Sequence, residues 1–212
     1  MGYISRQIEQ MYRNVLFRRH DPDGSVFYFS HADFPGLSAV EFNFKTKRGH
    51  TLFGNFYFYE NHNPTRLIIF EHGLGNGHNA YFREIELLAS KGYLVYSYDH
   101  TGCNNSEGEH VHGLSGSLSD LDDCICALIR EKGISEKQIS IIGHSWGGYS
   151  TLNILAFHPE LRSVVAMSGF ISINAMHKQL VPFVAYPYRK LLYSIEKRAN
   201  PKYVDCDAMK TL

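Results

Sequence analysis

The stretch GHSWG, residues 143–147, contains a serine whose surroundings could make it a nucleophile. An apolar run comes directly before it at 138–142, and an apolar helical pattern follows directly after it. Gly143 and Gly147 allow a sharp turn from strand to helix, which lifts the serine hydroxyl clear of the sheet edge. A serine needs a neighbouring base to take its proton. The pattern therefore predicts that Ser145 attacks a carbonyl group, provided that a base is within reach.

A glycine-rich loop, HGLGNG, begins at His72 and follows a second apolar run, RLIIFE. A loop with so much glycine can turn its backbone N–H groups inward, and two such donors are needed to hold the oxyanion formed when a carbonyl is attacked. The natural pair is the N–H of Leu74 and that of Trp146, the residue after the serine. We expect His72 and Gly73 to support the loop, with His72 fixing it by hydrogen bonds.

The same loop has an alternative interpretation as a dinucleotide-binding fingerprint. GLGNGH follows a strand-like run, and Asp99 ends the next run, as in G-x-G-x-x-G with a distant acid. His78 stands where the third glycine would be, however, and a bulky imidazole there opposes close packing of helix on strand. The interpretation also leaves His72 unexplained. A dinucleotide-binding oxidoreductase is therefore the remote alternative.

Three motifs in one order carry a resemblance to a known family. HGLG is similar to the oxyanion loop of α/β-hydrolases, YDHTGCNNSEG at 98–108 is similar to their D-x-x-G-x-G-x-S loop, and GHSWGG matches their nucleophile elbow. Asn104 stands where that family often has glycine. The chain thus resembles the serine esterase, lipase-like and acyl-peptidase group over about residues 38–170. The resemblance implies a mostly parallel sheet covered by helices on both faces, a Ser-His-acid triad, a covalent acyl-enzyme and no cofactor.

The general base is harder to find. In this fold the triad order is serine, acid, histidine, and only Glu160 followed by His177 has that order here. Glu160 and His158 lie past the far end of the elbow helix, about 18 Å from the serine. His177 follows a strand and is a weak candidate for the base, with a polar position on a lid helix as the simpler interpretation. We expect His144 to pack beside the elbow.

The resemblance implies that the missing triad partners follow two further strands. The ending VDCDAMKTL is similar to the approach to the first of them. We therefore expect the acid and the histidine to lie beyond Leu212, with the C-terminal strands absent from this sequence. An exposed apolar sheet edge would then invite self-association.

The pattern of elements predicts three regions. Residues 1–36 are an N-terminal amphipathic helix and its lead-in, residues 37–169 are the α/β core, and residues 170–212 are a helical cap. The core should contain an antiparallel hairpin and then strands alternating with helices, which indicates a parallel sheet. The expected strands are 40–46, 51–60, 66–71, 93–98, 138–142 and 163–168, and the expected helices are 3–17, 79–90, 118–131 and 146–157.

The composition limits the classes of binding partner that we expect. The 21 basic and 21 acidic residues give zero net charge, so nothing favours nucleic acid or an anionic membrane. No apolar run is long enough to span a membrane. The four cysteines show no metal-ligand spacing and favour free thiols in the cytoplasm. We expect no bound metal, including at His110 and His112.

The leading hypothesis is a serine hydrolase of carboxylic esters, thioesters or small amides, with esters as the favoured class. Aromatic residues of the cap suggest an apolar acyl or alcohol group in a small-molecule substrate: Phe170, Phe183, Tyr186, Tyr188 and Tyr193. The alternative, favoured by the missing base, is a non-catalytic remnant or binding module with the same fold.

Overall fold

A six-stranded sheet forms the centre of the computed structural model, which describes residues 2–181 and 186–211. The strands lie in the order β1-β4-β6-β5-β7-β8, and β2 pairs with β3 in a separate two-stranded ribbon. Only β4 runs against the other five strands, because it pairs antiparallel with both β1 and β6 while β6, β5, β7 and β8 pair in parallel. The bounds are β1 Ser38–Glu41, β2 Phe44–Lys45, β3 Thr51–Leu52, β4 Gly54–Phe58, β5 Asn63–Glu71, β6 Tyr93–Tyr98, β7 Ile139–His144 and β8 Ser163–Met167.

Seven α-helices are described within these ranges. They are α1 Tyr3–Leu16, α2 Phe82–Ser90, α3 Gly116–Lys132, α4 Trp146–Asn153, α5 Ile173–Leu180, α6 Tyr186–Ala199 and α7 Ala208–Thr211. Helix α2 covers one face of the sheet with Phe82, Ile85 and Ala89. Helices α3 and α4 pack on the other face, around the buried Trp146 and Tyr149. This confirms the mostly parallel α/β architecture with helices on both faces.

The predicted hairpin forms, but it is divided. Its first and last strands, β1 and β4, belong to the main sheet, whereas β2 and β3 make the separate ribbon. The carbonyl oxygen of Gly54 accepts a hydrogen bond from Phe42 N–H, and the side chain of Asn43 accepts one from Gly54 N–H. These residues lie where the pairing passes from one sheet to the other.

Helix α1 packs against the cap rather than against the sheet. Tyr12 and Phe17 form a small cluster with Leu192 and Ile195 of α6. The predicted helix forms, but Ile4, Met11 and Val15 on one flank of its apolar face are exposed. They lie to one side of the stripe that Tyr12 marks.

Strand β8 is one edge of the main sheet, and its side chains Val165 and Met167 are exposed. In the described part of the chain it is followed by helices and an isolated bridge between Ser172 and Asp207. Self-association through this edge stays a prediction. No helix in the described ranges has the length and apolar character to cross a membrane.

Candidate active site

Ser145 sits between β7 and α4 in a strained backbone conformation, with φ 55° and ψ −109°. A non-glycine residue with positive φ costs free energy, and such strain concentrates at functional sites. The turn is held by a hydrogen bond from Ser145 N–H to the carbonyl oxygen of Met167, 2.8 Å long. The side chain is partly exposed. Ser145 therefore stands at the carboxyl edge of the sheet and is partly accessible to solvent.

The two glycines of the elbow are there because backbone passes close to them. A Cβ on Gly147 would lie 2.3 Å from the carbonyl oxygen of Glu71, at the end of β5. A Cβ on Gly143 would lie 2.3 Å from the carbonyl oxygen of Gly147 itself. Real Cβ atoms do not approach so closely, so this turn from strand to helix requires glycine at both positions.

The glycine-rich loop runs beside the elbow. The Cβ position of Gly73 lies 3.5 Å from Cβ of Ser145. Trp146 N–H is at the start of α4, where backbone donors have no partner within the helix. Among the described residues, no hydrogen bond uses the N–H of Leu74 or of Trp146. Both predicted oxyanion donors are therefore beside the serine and uncommitted.

His72 fixes the direction of the Leu74 donor. The backbone N–H of His100 donates to Nε2 of His72 over 3.0 Å, so we assign the imidazole hydrogen to Nδ1. Nδ1 then donates to the carbonyl oxygen of Gly73 over 2.8 Å. The C=O and N–H of one planar trans peptide point in opposite directions. Because the Gly73 carbonyl is turned to His72, the Leu74 N–H is turned away from it.

His72 can accept at Nε2 and donate at Nδ1 because it stays neutral. Complete burial, together with the nearby charge of His100, lowers its pKa to about 3. A protonated imidazole would lose the acceptor that receives the His100 N–H. The expected supporting role of His72 thus has an atomic description, and the role itself stays a prediction.

Tyr81 joins the loop to the elbow. Its hydroxyl accepts a hydrogen bond from Gly73 N–H over 3.2 Å and lies 2.8 Å from Nδ1 of His144. The same hydroxyl hydrogen-bonds His144, the residue before the nucleophile, in a direction set by the tautomer of that imidazole. His144 is therefore engaged through Nδ1 with Tyr81. The sequence offered no sign of this bridge, since Tyr81 stands in a helical pattern with the appearance of a packing residue.

The far end of the loop is anchored to β6. Asp99 accepts hydrogen bonds from the backbone N–H and from Nδ1 of His78, and a third from the side chain of Asn104. Burial alone would raise the pKa of Asp99, but the imidazole of His78 and its hydrogen bonds lower it to about 2. The dinucleotide interpretation needs this carboxylate free for a ribose. Its contacts with His78 favour the oxyanion-loop interpretation instead.

His100, Glu71 and Asp120 form a buried charged cluster next to Trp146 and His72. The ring nitrogens of His100 lie 3.3 Å from Glu71 and 3.4 Å from Asp120, distances of an ion pair rather than of a good hydrogen bond. Burial alone would lower the pKa of His100, but the two carboxylates raise it to about 9. Its ring centroid is 4.9 Å from that of Trp146 and 4.5 Å from that of His72. A cationic His100 therefore touches the residues that carry the elbow and the loop.

The carboxylates of this cluster also bind neutral groups. Asp120 accepts from the backbone N–H and the hydroxyl of Thr101, and Glu71 accepts from the hydroxyl of Ser150 on α4. The cluster thus joins the ends of β5 and β6 to α3 and α4. Sequence reasoning missed it, although Glu71 and His100 both stand at the carboxyl end of a predicted parallel strand, which is a usable signal.

The low-ranking base candidate His177 is on α5. It is buried, and its Nε2 lies 2.8 Å from the hydroxyl of Tyr12, which donates to Glu196 over 2.7 Å. Burial lowers the pKa of His177 to about 4. This arrangement ties helix α1 to the cap. None of the described residues forms a hydrogen bond with the hydroxyl of Ser145.

Other predicted residues have surface or structural contacts. Glu160 is exposed and pairs with Lys137. Phe170 stacks on Tyr149 with ring centroids 4.5 Å apart. Tyr193 lines a cavity of about 540 Å³ in the cap whose other walls are mostly polar or charged. Phe183 and the side chain of Tyr186 fall outside the part of the chain that the structure describes, so the apolar substrate pocket stays a prediction.

Comparisons with known proteins find the same fold elsewhere. An esterase of Pyrococcus furiosus superposes with a TM-score of 0.65, covering 92% of this chain and 72% of the esterase, at 20% identity. The proline iminopeptidase of Clostridioides difficile is 28% identical over 122 residues, covering 57% of this chain and 40% of that protein. The monoglyceride lipase of Rattus norvegicus is 30% identical over 117 residues, covering 52% and 37%. The chain thus spans well under half of these two curated relatives.

The fold, the elbow and the glycine-rich loop define an α/β-hydrolase. A family model described as serine aminopeptidase, S33, matches residues 62–208, which is most of the chain. The chain belongs to this family. Its relatives include proteins named as peptidases, esterases and lipases.

Proposed function

We propose that the protein is a serine hydrolase in which Ser145 attacks an ester, thioester or small amide carbonyl and becomes acylated. The observation that carries the proposal is the strained elbow with two uncommitted N–H donors beside it. The carbonyl oxygen of the substrate becomes an oxyanion between Leu74 and Trp146 N–H, the leaving group departs, and water then releases the acid. The acyl group is apolar, and esters are the preferred class.

The general base is not assigned to any described histidine, because His72, His144 and His177 are each engaged with another group. An oxyanion hole without its base retains part of the rate enhancement, on the order of 10³–10⁴-fold over water in a well-studied protease. Slow acylation of Ser145 by a reactive probe is therefore expected from the 212-residue chain.

Labelling with a fluorophosphonate probe tests the nucleophile. We expect slow labelling that is lost in Ser145→Ala and kept in Ser168→Ala. Ser168 is a matched control, because it is an exposed serine with φ 53° at the end of the neighbouring strand. Equal labelling of wild type and Ser145→Ala would show that the nucleophile is misassigned.

A second candidate, a non-catalytic binding module with this fold, is favoured because none of the described histidines forms a hydrogen bond with the Ser145 hydroxyl. Turnover of p-nitrophenyl acetate separates the two. Turnover that Ser145→Ala abolishes supports the hydrolase, whereas labelling without turnover supports the module. Loss of turnover in His177→Ala as well would reassign the base to that residue.

A further inference from the structure

A second cluster of chemically capable side chains lies away from Ser145, at the far end of the elbow helix. Asp122 and Cys126 stand one turn apart on α3 and so share a face. His158 follows the helical segment after Ser145 and reaches the same point. One ligand atom from each of the three residues lies within 4.8 Å of the other two. The contacts of this cluster carry a proposal that does not depend on the hydrolase activity.

We propose that Asp122, Cys126 and His158 form a binding site for a divalent metal ion of the zinc class. Imidazole, thiolate and carboxylate are the three ligand types that Zn²⁺ takes in proteins. Three protein ligands leave one tetrahedral position for water. Cys126 is partly exposed, so the ion has a route in from solvent.

The distances are close to those of a coordinated ion. Nε2 of His158 lies 2.9 Å from Oδ1 of Asp122, and Sγ of Cys126 lies 4.0 Å from the same oxygen. Bond lengths of about 2.0–2.1 Å to zinc place tetrahedral nitrogen and oxygen ligands about 3.3 Å apart. The pair must therefore separate by only a few tenths of an ångström to admit the ion.

The surroundings of His158 have the form expected around a ligand. Its other ring nitrogen, Nδ1, lies 2.8 Å from Oε1 of Glu136. A carboxylate in this place fixes the tautomer of a metal-bound imidazole, because Nδ1 keeps its hydrogen for the carboxylate and Nε2 presents a lone pair. Glu136 is thus a positioning residue for the proposed ligand.

Two lysines close to the site do not oppose a cation. Lys47 and Lys202 bind Oδ2 of Asp122 over 3.0 and 2.7 Å, which leaves Oδ1 for the ion. Lys47 also pairs with Asp123 over 3.0 Å, so the carboxylates of Asp122, Asp123 and Glu136 and the thiolate of Cys126 make four negative charges. The two ammonium groups neutralise two of them, and one divalent ion neutralises the rest.

The exchange also balances in protons. Without an ion, the thiol of Cys126 and Nε2 of His158 both face Oδ1 of Asp122, so each is placed to donate a hydrogen to that carboxylate oxygen. Entry of one divalent ion displaces these two protons to solvent, and two bonds to the metal replace them. No oxidant or co-reactant is needed. The bound ion would join α3 to the segment that follows the elbow helix.

Binding of Co²⁺ to the purified chain tests the site directly. We expect one equivalent of tetrahedral Co²⁺, with a thiolate-to-cobalt charge-transfer band in the near ultraviolet. The band should disappear in Cys126→Ser and remain in Cys206→Ser, since Cys206 is a partly exposed thiol elsewhere in the chain. No band in the wild type, or a band that survives Cys126→Ser, would overturn the proposal. So would a band lost only in Cys206→Ser.

A second variant keeps the test informative if Cys126→Ser does not fold. Competition with a chromophoric chelator measures the Zn²⁺ affinity of wild type and Glu136→Gln. Loss of an outer-shell carboxylate typically weakens metal binding about 10–100-fold. Unchanged affinity in Glu136→Gln would place the bound zinc elsewhere and overturn the site. Labelling of Ser145 is unaffected in either outcome, so this test is separate from that of the hydrolase.

Discussion

Helix α3 supplies a carboxylate to each of two buried histidines, Asp120 to His100 and Asp122 to His158. Each histidine also has a second carboxylate from another element, and in each case the paired carboxylates raise the pKa of the imidazole against the effect of burial. The two centres differ in what completes them. His100 has aromatic rings and backbone N–H groups around it, whereas His158 has a thiol and two lysines near it.

Because of that difference, the His100 centre positions neighbouring groups, whereas the His158 centre is the one proposed to bind a metal ion. The carboxylates around His100 are engaged with Thr101 and Ser150, and Trp146 closes the space against its ring. Near His158, Sγ of the partly exposed Cys126 makes only a weak contact, 4.0 Å from Oδ1 of Asp122, and can serve as a ligand. An aspartate–histidine pair thus supports the loop and the elbow at Asp120. A second such pair forms a candidate ion site at Asp122, two residues further along α3.

Replacing each histidine by leucine should give the largest difference in stability between the two centres. His100→Leu leaves Glu71 and Asp120 buried without a counter-charge, and such uncompensated charge typically costs about 3–5 kcal/mol. In His158→Leu, Asp122 keeps both lysines, so we expect a loss of about 1–2 kcal/mol. Urea denaturation followed by circular dichroism measures both losses. Equal losses would contradict the idea that only His100 supports a sealed cluster.

The pH dependence of stability sharpens the same contrast. The pKa of His100 is raised from 6.5 to about 9, so its contribution is complete below pH 6.5 and is lost as the pH rises through about 9. The contribution is on the order of 3 kcal/mol. We expect the free energy of unfolding to fall between pH 7 and 10 in wild type, and to fall much less in His100→Gln. An identical fall in both proteins would show that other groups titrate in this window.

Features of the fold and the site could be predicted from the sequence where they depend on residues close together in the chain. The elbow at Ser145 and the loop at His72 are local patterns of glycine and strand, so their positions were recognisable, and the strand Tyr93–Tyr98 was predicted with its observed bounds. Asp122 and Cys126 are also a local pattern, because residues four apart on a helix share one face. Spacing among the four cysteines does not reveal the cluster, because the residues that join Cys126 are an aspartate and a histidine.

The remaining contacts depend on tertiary structure. Tyr81 and His144 are far apart in sequence, and no local pattern places a hydroxyl between a loop N–H and an imidazole. The charge of His100 depends on carboxylates from β5 and α3, which only the parallel sheet brings together. Helix α1 forms as its apolar spacing predicts, but part of that face remains exposed.

Two tyrosines, Tyr81 beside Ser145 and Tyr203 at the His158 centre, test whether only contacts beside Ser145 control its reactivity. Tyr81→Phe removes the acceptor of Gly73 N–H, and a lost hydrogen bond of about 1–2 kcal/mol corresponds to about 5–30-fold slower fluorophosphonate labelling. Tyr203→Phe is the matched control, because its hydroxyl binds Asp122 at the His158 centre. Equal rates in Tyr81→Phe and wild type would mean that the loop holds its geometry without this bridge.

The smallest expected effect belongs to Cys126, and it depends on metal. Without added ion the thiol makes only a weak contact with Asp122 at 4.0 Å, so Cys126→Ser should change the free energy of unfolding by about 0.5 kcal/mol or less. An ion that binds the folded chain stabilises it in proportion to the logarithm of its concentration above Kd. Increasing Zn²⁺ should therefore raise the Tm of wild type and leave that of Cys126→Ser nearly constant, as measured by thermal melts. Parallel increases in both proteins would place the stabilising ion at other residues and reduce the His158 centre to an ion-pair network.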